Sequence, residues 1–361
     1  MLFQRVKSLD QILATAEKKS LKRQLGPVQL TLLGVGAIIG TGIFVLTAEA
    51  GQKAGPAMMI AFVIAAVVCA LAALAYAELA SMIPVSGSAY PCPYGVLGEG
   101  LAWIVGWALV LEYAVAAGAV SVGWSGYMNG LLVSAGIPLP EFLRTGPYDG
   151  GSFNLLAFLI ALAVTVLLVI GTSKSAKVNS VLVAIKVVAL TAFIVIAIPA
   201  VKDPNFQPFM PTGWGSPMGG IGVLGAAASI FFAYVGFDAV STAAEETKNP
   251  NRNIPIGLIG SLMICTVFYL LVAYTAVGAM GAQPGGPLSQ SKEPLAFVLR
   301  EIGWPKVGSA VAIAAIVALP SVVLMMIFGQ TRILFTMARD GLLPDALAKV
   351  HPKYKTPHVV T

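Results

Sequence analysis

The chain is built from apolar runs of 18 residues or more, joined by short polar links. A run of that length is what a helix needs to cross a bilayer. In hydrocarbon every backbone N–H and C=O must find a partner inside the protein, so a spanning segment is a helix or part of a closed barrel. These runs are continuous rather than alternating, which selects helices. Eight spans are expected, at about 28–50, 56–82, 97–133, 153–171, 178–200, 217–243, 254–280 and 306–336. Charged residues make up only 11% of the chain, against about 25% in soluble domains. An all-α integral membrane protein is the fold class that follows.

Several functions are excluded at this level. Residues 1–26 are charged throughout and hold no short apolar core, so they read as a basic arm and not a cleaved leader. Cys69, Cys92 and Cys265 are scattered, and no disulfide framework is expected. The only histidines, His351 and His358, lie near the end of the chain, so no histidine metal site is expected in the membrane. No Walker-type phosphate loop and no nucleophile–base pair appear, so neither an enzyme nor a cofactor is expected. The expected partners are the lipid bilayer and a small-molecule substrate, not nucleic acid. A small membrane subunit stays open.

Lysine and arginine concentrate on the cytoplasmic side of membrane proteins. With the N-terminus inside, fifteen of the 22 fall on inner segments and six on outer ones, leaving Lys186 within span 5. The expected organisation is therefore a cytoplasmic arm (1–26), five spans (27–200), an outer loop (201–216), and spans 6–8 (217–336) with an outer loop at 281–304. A cytoplasmic tail (337–361) follows. The expected location is the cell inner (plasma) membrane.

Span 1 carries Gly34, Gly36, Gly40 and Gly42 midway across, and each interior glycine costs a helix about 1 kcal/mol relative to alanine. Either the helix packs closely there, as small-xxx-small faces do, or it breaks and turns the free N–H groups of a new helix N-terminus inward, where they can hold a carboxylate. Span 6 has a comparable weak point at Phe231-Phe232-Ala233-Tyr234-Val235-Gly236-Phe237-Asp238. Interrupted helices at corresponding places in two halves point to a transporter site on an inverted repeat.

Other residues stand out. Lys186 lies nine residues beyond Lys177, about 13 Å along a helix, and reads as a proton carrier, a stand-in for a bound cation, or a snorkelling side chain. Glu112 in span 3 could pair with Lys186, meet a cationic substrate group, or make a structural hydrogen bond. Glu78 reads as structural or gating, Asp238 as a cap on the second half of span 6, and Glu245-Glu246 as a solvated inner helix end. The aromatics around Phe232 suit either a lid or plain core. Met325-Met326 in span 8 are flexible fillers that could shape a pocket. The link 83–96, which lacks lysine and arginine, reads as re-entrant or interfacial.

Gly36-Ala37-Ile38-Ile39-Gly40-Thr41-Gly42-Ile43-Phe44, Tyr76-Ala77-Glu78-Leu79 with Pro84-Val85-Ser86-Gly87-Ser88-Ala89-Tyr90, and Phe232-Ala233-Tyr234-Val235-Gly236-Phe237-Asp238 resemble the amino acid–polyamine–organocation transporters. Glu245-Glu246-Thr247-Lys248-Asn249-Pro250, Arg252-Asn253-Ile254-Pro255 and Gly329-Gln330-Thr331-Arg332 narrow the likeness to bacterial relatives of the cationic amino acid transporters. The resemblance implies the leucine-transporter inverted-repeat fold. It implies that Thr41 and Gly42 bind a substrate carboxylate, that the carbonyls of Ile38, Phe232 and Val235 take the amino group, and that Gly40 and Ala233 belong to the same site. Phe232 would act as the outer gate and Lys186 would carry the coupled proton. Read from the residues themselves, Glu112 and Met325 are candidates for a side-chain pocket. Pro91-Cys92-Pro93-Tyr94 departs from the family pattern in the inner link. The implied fold needs ten core spans, so the chain is expected to be truncated after span 8, with the second repeat incomplete.

The reading is a secondary active transporter for L-amino acids, working by proton symport and alternating access. An exchanger without proton coupling and an amino-acid-sensing membrane receptor are the alternatives.

Overall fold

The computed structural model describes residues 25–82, 94–95, 98–147, 150–170, 175–218, 220–242, 247–349, 351, 357 and 359–361. Most of the basic arm, most of the link after span 2 and the Glu245-Glu246 pair lie outside the described residues. So does the question of how the inner link turns.

The first apolar run starts at Pro27, whose fixed φ and missing N–H suit a helix's first turn. It forms α1 (Pro27–Ile38), α2 (Thr41–Phe44) and α3 (Leu46–Ala54). Then come α4 (Met58–Met82), α5 (Glu99–Ser134), the short α6 (Glu141–Arg144), α7 (Leu155–Ile170) and α8 (Ser175–Ala197). The sixth run gives α9 (Gly222–Ile230), a 3-10 turn at Phe231–Ala233, and α10 (Ala239–Thr242). The seventh is α11 (Pro250–Met280). The outer loop carries α12 (Pro287–Gln290) and α13 (Pro294–Glu301). The eighth run divides into α14 (Pro305–Ala318) and α15 (Pro320–Arg339).

Among the described residues, five helical stretches are long and apolar enough to cross a bilayer: 46–80, 99–134, 181–200, 250–280 and 305–339. Three more, Pro27–Ile38, Leu155–Ile170 and Gly222–Ala233, are apolar but shorter. The first and last of these are short because each is one half of an interrupted run.

The division of the eighth run has a simple cause. Pro320 has no N–H to offer the carbonyl four residues earlier, which belongs to Ile316. Trp124 of α5 supplies the missing donor, its indole N–H reaching the Ile316 carbonyl at 2.8 Å. The bend is thus satisfied from outside the helix.

α11 packs along both α1 and α4, α15 packs along α5, and α9 lies against α3 and α4. α1 and α11 start side by side, with Leu25 and Thr247 forming a parallel bridge and the Lys248 N–H donating to the Leu25 carbonyl at 2.9 Å. These two helices therefore run in the same direction. The core between the elements is aliphatic and aromatic, from Leu30 and Ile38 to Phe193, Tyr234 and Val323.

Candidate functional site

The two interruptions meet. α1 ends at Ile38, Ile39 takes an extended backbone (φ −68°, ψ 96°), and Gly40 is extended before the chain re-enters helix at Thr41. In span 6 the 3-10 turn at Phe231–Ala233 gives way to Gly236 with φ +112°. That conformation favours glycine, and a Cβ there would also come within 3.0 Å of the Ala37 carbonyl. Across the same contact a Cβ on Gly42 would lie 2.4 Å from the Ala233 Cα. The glycines of span 1 therefore do both things open to them: the helix breaks at 39–40, and its neighbouring turns pack backbone to backbone.

Tyrosine hydroxyls hold the loosened backbone. Tyr269 of α11, fully buried, points its hydroxyl at the Ile38 carbonyl (2.9 Å) and the Ala233 carbonyl (2.8 Å), one from each interruption. Its ring packs on Phe62 and Tyr234. Tyr127 of α5 donates to the Phe44 carbonyl at 2.7 Å. The Tyr113 hydroxyl donates to the Asp238 carboxylate, while the Asp238 carbonyl accepts the Ser241 N–H and hydroxyl. Buried hydroxyls need such partners.

A cavity of about 390 Å³ opens against the interruptions. Ile38, Gly40, Thr41 and Gly42 line it from span 1, and Phe232 and Val235 from span 6. α5 contributes Val115, Ala116, Ala119 and Val120, and α15 contributes Val322 and Met326. From there the cavity extends between α3 and α9 to Glu49 and Lys53. These two form an ion pair at 2.8 Å, and Lys53 also donates to the Ser229 hydroxyl. Phe232 is 46% exposed, and its ring meets that of Phe231 edge-on.

Some residues singled out in the sequence lie elsewhere. Ala233 is buried behind the wall, its carbonyl bound to Tyr269. Met326, not Met325, faces the cavity, because one residue along a helix turns the side chain by about 100°. Glu112 is not on the wall either; its electrostatic neighbours include Asp238, Cys69 and Tyr113. Nor does it pair with Lys186. That amine, 1% exposed, donates to the Gly36 carbonyl at 2.8 Å, one turn before the break in span 1. No group of three or more histidine, cysteine or acidic side chains that could hold a metal occurs among the described residues.

Sequence reasoning missed Tyr269, Tyr127 and Trp124. A hydroxyl or indole N–H inside an apolar run was the available signal, since each must find an acceptor when buried.

The amino acid permease family model matches residues 25–361. The branched-chain amino acid permease BcaP of Bacillus subtilis (strain 168) is 48% identical, over 100% of this chain and 76% of that protein. The methylthioribose transporter of the same organism is 44% identical, over 98% of this chain and 75% of that one. Among solved structures, that of MhsT in complex with L-phenylalanine is similar with a TM-score of 0.61 at 18% identity, covering 90% of this chain and 76% of the other. The likeness supports a leucine-transporter-type fold.

Proposed function

We propose a function from one premise: the chain belongs to the amino acid permease family, a family of multi-pass membrane transporters and not of enzymes. The proposal is an amino acid carrier driven by protons, working by alternating access, with its substrate between the interruptions of spans 1 and 6. The observation that carries it is the shared cavity at those interruptions.

At Thr41 a helix begins, and the first amides of a helix have no partner within it. Together with the positive end of the helix dipole they suit a carboxylate, and the Thr41 hydroxyl adds a donor. The Ile38, Phe232 and Val235 carbonyls supply acceptors for an ammonium group. The side chain of the substrate would then face Val115, Ala116, Ala119, Val120, Val322 and Met326. All are apolar, and Glu112 is not among them, so the wall favours an uncharged aliphatic side chain over a cationic one. The name of the Bacillus branched-chain permease agrees with that choice. A sugar lacking carboxylate and ammonium, such as methylthioribose, would leave both sets of backbone groups without their match.

Lys186 is the coupling residue in this reading. Its amine, buried on the Gly36 carbonyl, ties α8 to the first half of span 1. Gain or loss of a proton changes that tie next to the break. With the N-terminus cytoplasmic, the cavity extends outward past Phe232 to Glu49 and Lys53, an outward-open arrangement in a plasma-membrane carrier.

Uptake of labelled leucine and arginine into proteoliposomes, with and without an inward proton gradient, tests this. The expected result is gradient-stimulated leucine uptake with little arginine uptake. Lys186→Met is expected to lose the stimulation and to keep leucine counterflow. Uptake insensitive to the gradient in the parent would replace symport with exchange. Binding of leucine without any flux would favour a receptor.

A further inference from the structure

Lys186 has a titratable neighbour, Cys265, that the coupling scheme above does not use. α8 packs against α1, α11, α13 and α14, and the amine sits where α1, α8 and α11 meet. The parallel start of α1 and α11 fixes their register. A Cβ on Gly34 would lie 2.4 Å from the Ser261 hydroxyl, and the Tyr269 hydroxyl reaches the Ile38 carbonyl. Ser261, Cys265 and Tyr269 are spaced by four and share one face of α11. Cys265 thus faces the turn of α1 between Gly34 and Ile38, the turn that carries the Gly36 carbonyl. Its thiol is free and fully buried. Lys186 and Cys265 lie close enough to influence each other electrostatically.

A charged amine has three protons to place and no lone pair. The Gly36 carbonyl takes one. A neutral amine has two protons and a lone pair, which asks for a donor. A backbone carbonyl cannot supply one, but a thiol can act in either sense, as weak acceptor or weak donor. In a site closed to water this matters more than at a surface, because an unmatched polar group there has no solvent to turn to.

We propose that Cys265 is a positioning residue for the proton on Lys186, its sulfur accepting an N–H while the amine is charged and its S–H donating to the lone pair once the proton has left. The proposal rests on proton coupling through Lys186. The thiol keeps both states of the amine satisfied at the same place beside the span 1 break, so that the proton can leave without the side chain having to move.

The test is the pH profile of gradient-driven leucine uptake in proteoliposomes, for the parent, Cys265→Ser, Cys265→Ala and Cys265→Val, with melting temperature and counterflow measured alongside. Serine retains a donor and an acceptor and is expected to keep the parental profile. Alanine and valine are expected to move its midpoint by about one pH unit or to lose gradient stimulation, while folding and counterflow persist. A parental profile in whichever of these two folds would overturn the proposal, as would a serine variant that folds but has lost coupling. Stimulation that survives in Lys186→Met would overturn it as well, through failure of the coupling scheme and not of the thiol. The two failures are told apart by which variant keeps its stimulation.

Discussion

Gly42 sets how closely spans 1 and 6 approach. The nearest atom that an added Cβ would meet is backbone, the Ala233 Cα, which cannot swing aside as a side chain can. Gly42→Ala is expected to cost about 1–3 kcal/mol in overpacking and to lower leucine uptake at least tenfold with protein still in the membrane. Uptake per correctly inserted molecule, read beside the melting temperature, decides it. Tyr269→Phe is the softer probe. It keeps the ring packing and removes one hydroxyl shared between two carbonyls, a net loss near 1 kcal/mol. The Ile38 carbonyl then loses its fixed orientation, so KM for leucine should rise several-fold with only a small change in melting temperature. An unchanged KM would make the hydroxyl purely structural. At this scale the sequence was legible where glycine made it so. Four glycines in nine residues of an apolar run announced Gly40–Thr41–Gly42. Tyr269 carried no such mark, because an aromatic in an apolar helix reads as core. Met325 was preferred to Met326 because facing depends on a helix phase that only the neighbouring helices set.

Among the elements, the apolar runs marked the helices to within a few residues. The bend in the eighth run was the exception, since Pro320 weakens a helix but only a donor on another helix makes the bend comfortable. Trp124→Phe should therefore orphan the Ile316 carbonyl and lower stability by about 1–3 kcal/mol; a melting temperature equal to the parent's would show that the carbonyl finds another donor. The outer loop offers a pH test. Glu293 and Arg300 pair within it, and a Cβ on Gly130 of α5 would strike the Glu293 carboxylate. Burial pushes the Glu293 carboxyl up, and Arg300 pulls it only part of the way back. A carboxyl raised on folding holds its proton more tightly when folded, so its contribution is lost as pH rises from the ordinary carboxyl range to the folded value and is constant above it. Arg300→Leu, which leaves that carboxylate alone, should lower the melting temperature markedly at pH 8 and less at pH 5.5. A loss that grows on acidification would contradict this account.

For the whole molecule, a substrate that binds the folded state alone raises stability by about 2.7 kcal/mol at a hundredfold excess over its Kd. Leucine, isoleucine and valine should shift the melting temperature in detergent upward, while arginine and methylthioribose leave it in place. A shift from arginine alone would return Glu112 to the substrate's surroundings. Family and fold were legible from motifs spread along the chain, whereas the chemistry of the wall depends on which faces of α5 and α15 turn inward. The two halves of span 1 are fastened to different neighbours. α1 is held to α11 at the Leu25 bridge, beside Ser261 and at Tyr269, and α3 is held to α9 through Lys53 and Ser229. A single polypeptide crossing thus belongs to two mechanical bodies, jointed at Ile39 and Gly40. Torque applied to either one is delivered to Ile39 and Gly40, directly before the helix start at Thr41 where the substrate carboxylate is proposed to bind.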